Sequence, residues 1–232
     1  MTYQIISVLC GGPGPQIPGL DDLAYQPIDN RDNALSPCAA MYKGAIGNQS
    51  DVLIYCHDDL AIHDPYWLKR VLRLFSKPEV AVVGLGGAKS LGHPDLYKRA
   101  YRLSDMARGG YRSNQTDWQM HGGHEEWTCQ VAVVDAFFMA VRRTWLESVG
   151  GWPVDHLTHH VIDLWAACEA ARTGMETWVI GANCTHFGGG SSIGDKYKEA
   201  KWLQGGSLRS DHELPHVWLY ETYRQWLPIR VK

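Results

Sequence analysis

An α/β fold, with a mostly parallel central sheet flanked by helices, is what this 232-residue sequence predicts. Three stretches carry that expectation. Residues 4–10, QIISVLC, form an apolar, β-branched run that ends in the Gly-rich loop GGPGPQIPG; residues 51–85 read strand, helix, strand; and residues 160–180 read helix, then strand. Helical and strand periods that alternate in this way belong to strands joined by crossover helices. The chain is long enough to bury roughly 70% of its unfolded surface in one domain.

Taken in order, residues 4–10 predict a buried first strand and the glycines after it a loop. A Gly-rich loop at this place lets a nucleotide approach the backbone. The spacing GGPGP is not GxGxxG, and its prolines argue against a helix opening there, so a dinucleotide-binding fingerprint is rejected. Residues 21–33 read as polar and irregular. Ser36-Pro37 then starts a helix over 37–47, because proline suits the first helical position. Residues 52–56, VLIYC, predict a second buried strand that runs into His57, Asp58 and Asp59. Asp64 is the expected cap of the next helix, with Pro65 first and Trp67, Leu68, Val71, Leu72 and Phe75 on its apolar face. Lys77-Pro78 stops it, and residues 80–85, VAVVGL, predict a strand that pairs in parallel with the previous one.

Residues 86–127 have no sustained period, and so long a polar connection is expected to serve an acceptor or to form a lid. Strand character returns over 129–141, interrupted by Asp135. A short helix over 144–149 ends at Gly150-Gly151, and Val161, Leu164, Trp165 and Cys168 mark a helix over 160–173 that stops at Gly174. Residues 176–180 predict a last strand, which leads to THFGGGSS. The tail, rich in Trp and Tyr, is expected to pack across the domain.

Composition narrows the class. Apolar residues at 45% and charged residues at 20% exclude a disordered chain. The six cysteines form no CxxC pair and several lie in apolar runs, which reads as reduced core thiols. With no basic-then-apolar leader and no run of about 18 apolar residues, the expected location is cytoplasmic and no transmembrane segment is predicted. The net charge of −3 conceals a basic stretch: over residues 69–112 ten Lys or Arg stand against Glu79, Asp95 and Asp105. That stretch is either a solvated face or a surface that meets an anion.

Among side chains with chemistry, Asp58 and Asp59 come first. Carboxylates at a strand end attract a hard divalent cation, above all one shared with a diphosphate; the alternative is loop polarity ahead of Asp64. His186, after a later strand and before three glycines, offers an imidazole that Mn²⁺ tolerates. The stretch HGGHEEW over 121–127 has two His and two Glu, but its spacing fits no helical zinc site. Trp152, after the double glycine, is either a stacking platform for an acceptor or a core residue.

The ordered set of strand, HDD, Asp-Pro helix, VVG strand, VDAFFMAVRRTWLESVGGWP, a helix ending AARTG and a His-Gly-Gly turn resembles a family 2 glycosyltransferase of the GT-A fold. The likeness covers about residues 4–195. It is nearest to the branch whose metal motif reads H-x-D, as His57-Asp58-Asp59 does. The resemblance implies one GT-A domain, of the nucleotide-diphospho-sugar transferase type, that binds a nucleotide-sugar with Mn²⁺ or Mg²⁺ and transfers a hexose or pentose with inversion; a UDP-sugar is the expected donor. Residues 1–85 would then be the nucleotide-binding half, 86–195 the acceptor-side half and 196–232 the packed tail. Asp59 matches the last Asp of D-x-D and would be the first metal ligand, with His186 the late one. His57 stands where the first Asp faces the nucleotide or the metal's waters, beside Asp58. Cys10, Gly11, Asp29 and Asn30 would cradle the nucleotide. The usual Glu-Asp pair before the late helix is replaced by His159, His160, Val161, Ile162 and Asp163. Asp163 is therefore the candidate base, with His160 and Asp155 behind it, or else a carboxylate favoured by the helix dipole.

Two acceptor classes fit, a soluble glycan or a hydroxylated base in DNA of the kind phage-type enzymes modify, the latter because of the basic stretch. From a different class, the departures at His57 and at the Glu-Asp pair also suit a catalytically inactive nucleotide-sugar-binding module. A zinc hydrolase built on HGGHEEW is the remaining alternative.

Overall fold

The computed structural model describes residues 1–92, 112–113, 128–159, 161–187 and 208–231, with the backbone alone for 112–113 and 208–213. Its strands are β1 (Tyr3–Leu9), β2 (Tyr25–Asp29), β3 (Val52–His57), β4 (Leu60–Ile62), β5 (Val80–Gly84), β6 (Gly86–Ala88), β7 (Ser90–Leu91), β8 (Arg112–Ser113), β9 (Cys129–Val131), β10 (Val133–Val134), β11 (Phe138–Arg142), β12 (Glu176–Val179), β13 (Cys184–His186) and β14 (Ile229–Arg230). The described helices are α1 (Pro37–Ala45), α2 (Trp67–Phe75), α3 (Arg143–Ser148), α4 (Ile162–Arg172) and α5 (Leu208–Tyr223). No helix among the described residues is long and apolar enough to cross a membrane.

Seven strands form the central sheet in the order β2-β1-β3-β11-β5-β12-β9. β1 pairs in parallel with β2 and β3, and β5 with β12, whereas β11 and β9 run against their neighbours. The α/β class stands, with five strands pointing one way. One pairing departs from expectation. β3 and β5 share a direction but are not neighbours, because β11 inserts between them, pairing Ala140 with Ile54 on one side and with Val83 on the other. A strand–helix–strand spacing sets direction, not adjacency, and β11, apolar and buried from Phe138 to Val141, fits the central slot. The second departure is β2, in a stretch expected to be irregular. Pro27 and three half-buried or exposed residues hide its strand character, as an edge position permits.

Alternation along the strands divides the core. Leu53 and Tyr55 of β3 face a cluster with α1, α3, α4 and the C-terminal Leu219 and Tyr223, while Val52, Ile54 and Cys56 face α2. Ser36 caps α1 by accepting from the Ala39 amide at 3.2 Å, with Pro37 at the first position, and Gly44 lets the helix approach Ile6 so closely that a Cβ would lie 2.7 Å from its methyl. α2 begins at Trp67, later than expected. Asp64 does not cap it; its carboxylate accepts from the Tyr66 amide at 2.8 Å and pairs with the buried Arg70, closing the turn before the helix. Arg142 ties the far end of α2 to the sheet, donating to the carbonyls of Phe75 (2.9 Å), Lys77 (2.6 Å) and Val80 (2.9 Å). At the end of α4, Gly174 (φ 69) turns the chain so that the Met175 amide reaches the Ala170 carbonyl at 2.8 Å.

Phe138, wholly buried on β11, meets Trp67 edge-on at 5.5 Å and so joins the central strand to α2. Phe138→Ala is expected to cost about 3–5 kcal/mol, read as a lower urea midpoint with an unchanged slope.

Candidate metal centre and active site

The C-terminal end of β3 delivers His57 beyond the sheet edge, and the chain turns through Asp58 and Asp59 into β4. β4 pairs antiparallel with β13, placing His186 opposite Leu60; the Phe187 amide donates to the Asp59 carbonyl at 3.0 Å and the His63 amide to the Asn183 carbonyl at 2.8 Å. This ladder brings together residues that are 129 positions apart: His57 Nδ1 and His186 Nε2 lie 3.2 Å from each other. Asp59 Oδ1 is 3.2 Å from His186 Nε2 and 3.8 Å from His57 Nδ1.

These three atoms suit one divalent cation. Bonds of about 2.0–2.2 Å at right angles place neighbouring donors about 3 Å apart, close to the spacings found. Asp59 Oδ1 is buried, and the polar atom that meets it is His186 Nε2 at 3.2 Å. His57, expected to face the nucleotide or the metal's waters, lies within 4.8 Å of the other two candidate donors. Desolvation by the surrounding protein, although the side chain is half exposed, and the neighbouring His186 hold its pKa below the ordinary histidine value, favouring the neutral imidazole. Burial pushes the Asp59 carboxyl up, but His186 and His57 outweigh it and the net shift is downward, towards the ionised form. Phe137, missed from the sequence, stacks on the His186 ring at 4.8 Å and 16°, and its carbonyl accepts from the His57 amide at 2.9 Å.

The first loop is held from the same corner. Asp58 Oδ2 accepts from the Cys10 amide at 2.7 Å and from the Gly12 amide at 2.8 Å, and a Cβ on Gly12 would strike that carboxylate at 2.7 Å. Asp58 therefore fixes the backbone around Cys10 and Gly11. Asn30 is buried; its amide donates to the Leu35 carbonyl and accepts from the Leu35 amide, both at 2.9 Å, which secures the loop after β2. Asp29 is exposed beside Leu9 and bonded to Arg31, whose guanidinium holds its carboxyl down at about 2.

Asp163 lies in the first turn of α4, only 8% exposed, where burial and the nearby Asp135 push its carboxyl up to about 7. The amides of Leu164 and Ala136 donate to it. A carboxylate with this proton affinity suits a base near neutral pH. Asp155 is exposed on the turn before α4 and makes no hydrogen bond or ion pair among the described residues; His160 and the HGGHEEW stretch lie outside them. Trp152 is not an acceptor platform. It is 2% exposed, donates to the Tyr55 hydroxyl at 3.0 Å and packs on Trp165. The basic stretch is also thinner at the surface than its count implies, because Arg70 is buried against Asp64; residues 93–111 of it lie outside the described residues.

Solved structures share this architecture. A197 from STIV superposes with a TM-score of 0.52 at 14% identity, over 82% of this chain and 87% of that one. GalNAc-T7, solved with UDP, GalNAc and Mn²⁺, gives 0.53 at 12%, over 97% and 57%. A mannosyltransferase, PcManGT from Pyrobaculum calidifontis with GDP-Man and Mn²⁺, gives 0.49 at 12%, over 97% and 72%. At these identities the first two likenesses speak for the fold, which is that of the GT-A glycosyltransferases. The model of a "Glycosyltransferase like family" matches residues 22–204, and the chain belongs to that family. No curated protein sequence matches it.

Two measurements probe this geometry. Mn²⁺ at about 100 times its Kd is expected to stabilise the protein by about 2.7 kcal/mol, seen as a raised Tm, and Asp59→Ala to abolish the shift. A carboxyl with a folded pKa of about 7 and an ordinary value of 3.8 stabilises the fold fully below pH 3.8, and that contribution is lost as pH rises to about 7. Urea midpoints for Asp163→Asn are accordingly expected to gain on wild type between pH 4 and pH 8.

Proposed function

We propose that the chain is a metal-dependent, inverting glycosyltransferase that moves a hexose or pentose from a nucleotide-sugar, a UDP-sugar first, to a hydroxyl acceptor. The observation that carries this reading is the His57–Asp59–His186 donor group at the end of β3, in a member of a glycosyltransferase-like family. We place it in the H-x-D branch, with residues 1–85 as the nucleotide-binding half, 86–195 as the acceptor-side half and 196–232 as a tail on the same domain.

In this reading His57, Asp59 and His186 bind Mn²⁺ or Mg²⁺, Phe137 orients the His186 ring, and Asp58 holds the loop at Cys10 and Gly11 against the nucleotide. The cation supplies neutralisation of the charge that develops on the leaving diphosphate. Asp163 takes the proton of the acceptor hydroxyl as that oxygen bonds to the anomeric carbon. The bond from that carbon to the diphosphate breaks on the opposite face, its electron pair leaving with the nucleotide, and the configuration inverts.

The donor is named by a thermal-shift panel of UDP-, GDP- and CMP-sugars with and without Mn²⁺, followed by donor hydrolysis and transfer assays. A UDP-sugar with Mn²⁺ is expected to give the largest shift, and Asp59→Ala to lower turnover at least 100-fold. Donor binding without turnover under any condition would instead make the chain an inactive nucleotide-sugar-binding module. Glycan and hydroxylated-DNA acceptors separate by salt: transfer to duplex DNA falls steeply between 50 and 200 mM salt, whereas transfer to a neutral glycan does not.

A further inference from the structure

His57 stands where the D-x-D motif this chain resembles has its first Asp, and the exchange alters the chemistry of the donor group. His57 Nδ1 lies 3.2 Å from His186 Nε2 and 3.8 Å from Asp59 Oδ1, and the two rings meet at 62° with centroids 5.2 Å apart. Phe137 holds both histidines: its carbonyl accepts from the His57 amide at 2.9 Å, and its ring stacks on His186. The middle acid of the motif brings no second carboxylate to the group. Asp58 Oδ2 is committed to the Cys10 and Gly12 amides, at 2.7 and 2.8 Å. The candidate donors are therefore two imidazoles and a single carboxylate.

We infer that His57 sets the cation preference of this site: through its imidazole, the group selects Mn²⁺ over Mg²⁺. This preference rests on the metal-dependent reading of the site. Mg²⁺ is small and hard, gives up its waters reluctantly and is bound through carboxylate and phosphate oxygens. An imidazole nitrogen is a softer donor without charge, so it compensates poorly for the lost hydration of Mg²⁺; it serves Mn²⁺ and the later ions of the first transition row better. The nitrogen that faces the group is Nδ1, which stands as many bonds from Cβ as the side-chain oxygen of Asp or Asn does. His57→Asp thus exchanges nitrogen for oxygen and adds a charge with the donor nearly in place, and His57→Asn brings the oxygen alone. The 3.2 Å between the two ring nitrogens also fits an N–H···N hydrogen bond, which a bound cation replaces.

The test uses the full chain freed of metal by chelation and dialysis. Kd values for Mn²⁺ and Mg²⁺ are measured by calorimetry in wild type, His57→Asp and His57→Asn. Electron spin-echo spectra of the Mn²⁺ complexes count the imidazoles bound to the ion. Wild type is expected to bind Mn²⁺ at least tenfold more tightly than Mg²⁺, with two imidazoles on Mn²⁺. In His57→Asp the count should fall to one and Mg²⁺ affinity rise at least tenfold; His57→Asn should lose Mn²⁺ affinity without that gain. A wild-type ratio below tenfold overturns the inference, as does a wild-type spectrum with one imidazole or a folded His57→Asp that gains no Mg²⁺ affinity. If the variants do not fold, the wild-type ratio and imidazole count decide alone. Binding of neither ion overturns it too, and leaves a hydrogen-bonded histidine pair without a metal. Two imidazoles on wild-type Mn²⁺ with no turnover of any nucleotide-sugar would remove the transfer reading and leave the preference standing.

Discussion

The short ladder between β4 and β13 is the contact on which the site depends. Each strand has three residues, and neither belongs to the central sheet. Yet their pairing sets His186 against Asp59, and the first loop lies along the same strand, with the Gln16 amide donating to the Leu60 carbonyl and the Ile62 amide to the Gln16 carbonyl, both at 2.8 Å. Three distant parts of the sequence are held in register by backbone bonds, which are insensitive to side-chain identity. The buried faces of Leu60, Ile62 and Cys184 anchor this small sheet to the α2 side of the core.

From that ladder the chemistry divides between two carboxylates of contrasting environment. Asp59 lies against two imidazoles and is held towards the ionised form, which suits the ligand role proposed for it. Asp163, in the first turn of α4, is held towards protonation by burial and by the charge of Asp135, which suits the base proposed for it near neutral pH. Asp58, between His57 and Asp59 in sequence, points the other way and spends its charge on two loop amides. Adjacent acids thus do unrelated work, because successive residues of a turn face different neighbours.

Much of the fold was legible. The apolar runs of β1, β3 and β5, the Ser36-Pro37 opening of α1 and the Gly174 stop of α4 follow from period, capping and the left-handed turn glycine permits. β2 was not legible, since an edge strand needs little apolar surface, nor was the insertion of β11, since pairing partners are chosen by the whole sheet. Within the site, the metal-capable types at 57–59 and 186 stood out by residue chemistry. The buried Trp152 did not: nothing local distinguishes an indole that stacks on a ligand from one that stacks on Trp165.

The sequence by itself determined the α/β alternation, the family likeness and the residues able to ligate or to carry a proton, because these depend on side-chain chemistry and on spacing along one chain. Only the tertiary structure decided that His57 shares a site with His186, that Asp58 serves the loop, and that residues 135–137 join the metal donors to Asp163. Those are relations across as many as 129 residues. Distances of about 3 Å between such residues are set by strand pairing and packing in three dimensions, and no local pattern encodes them.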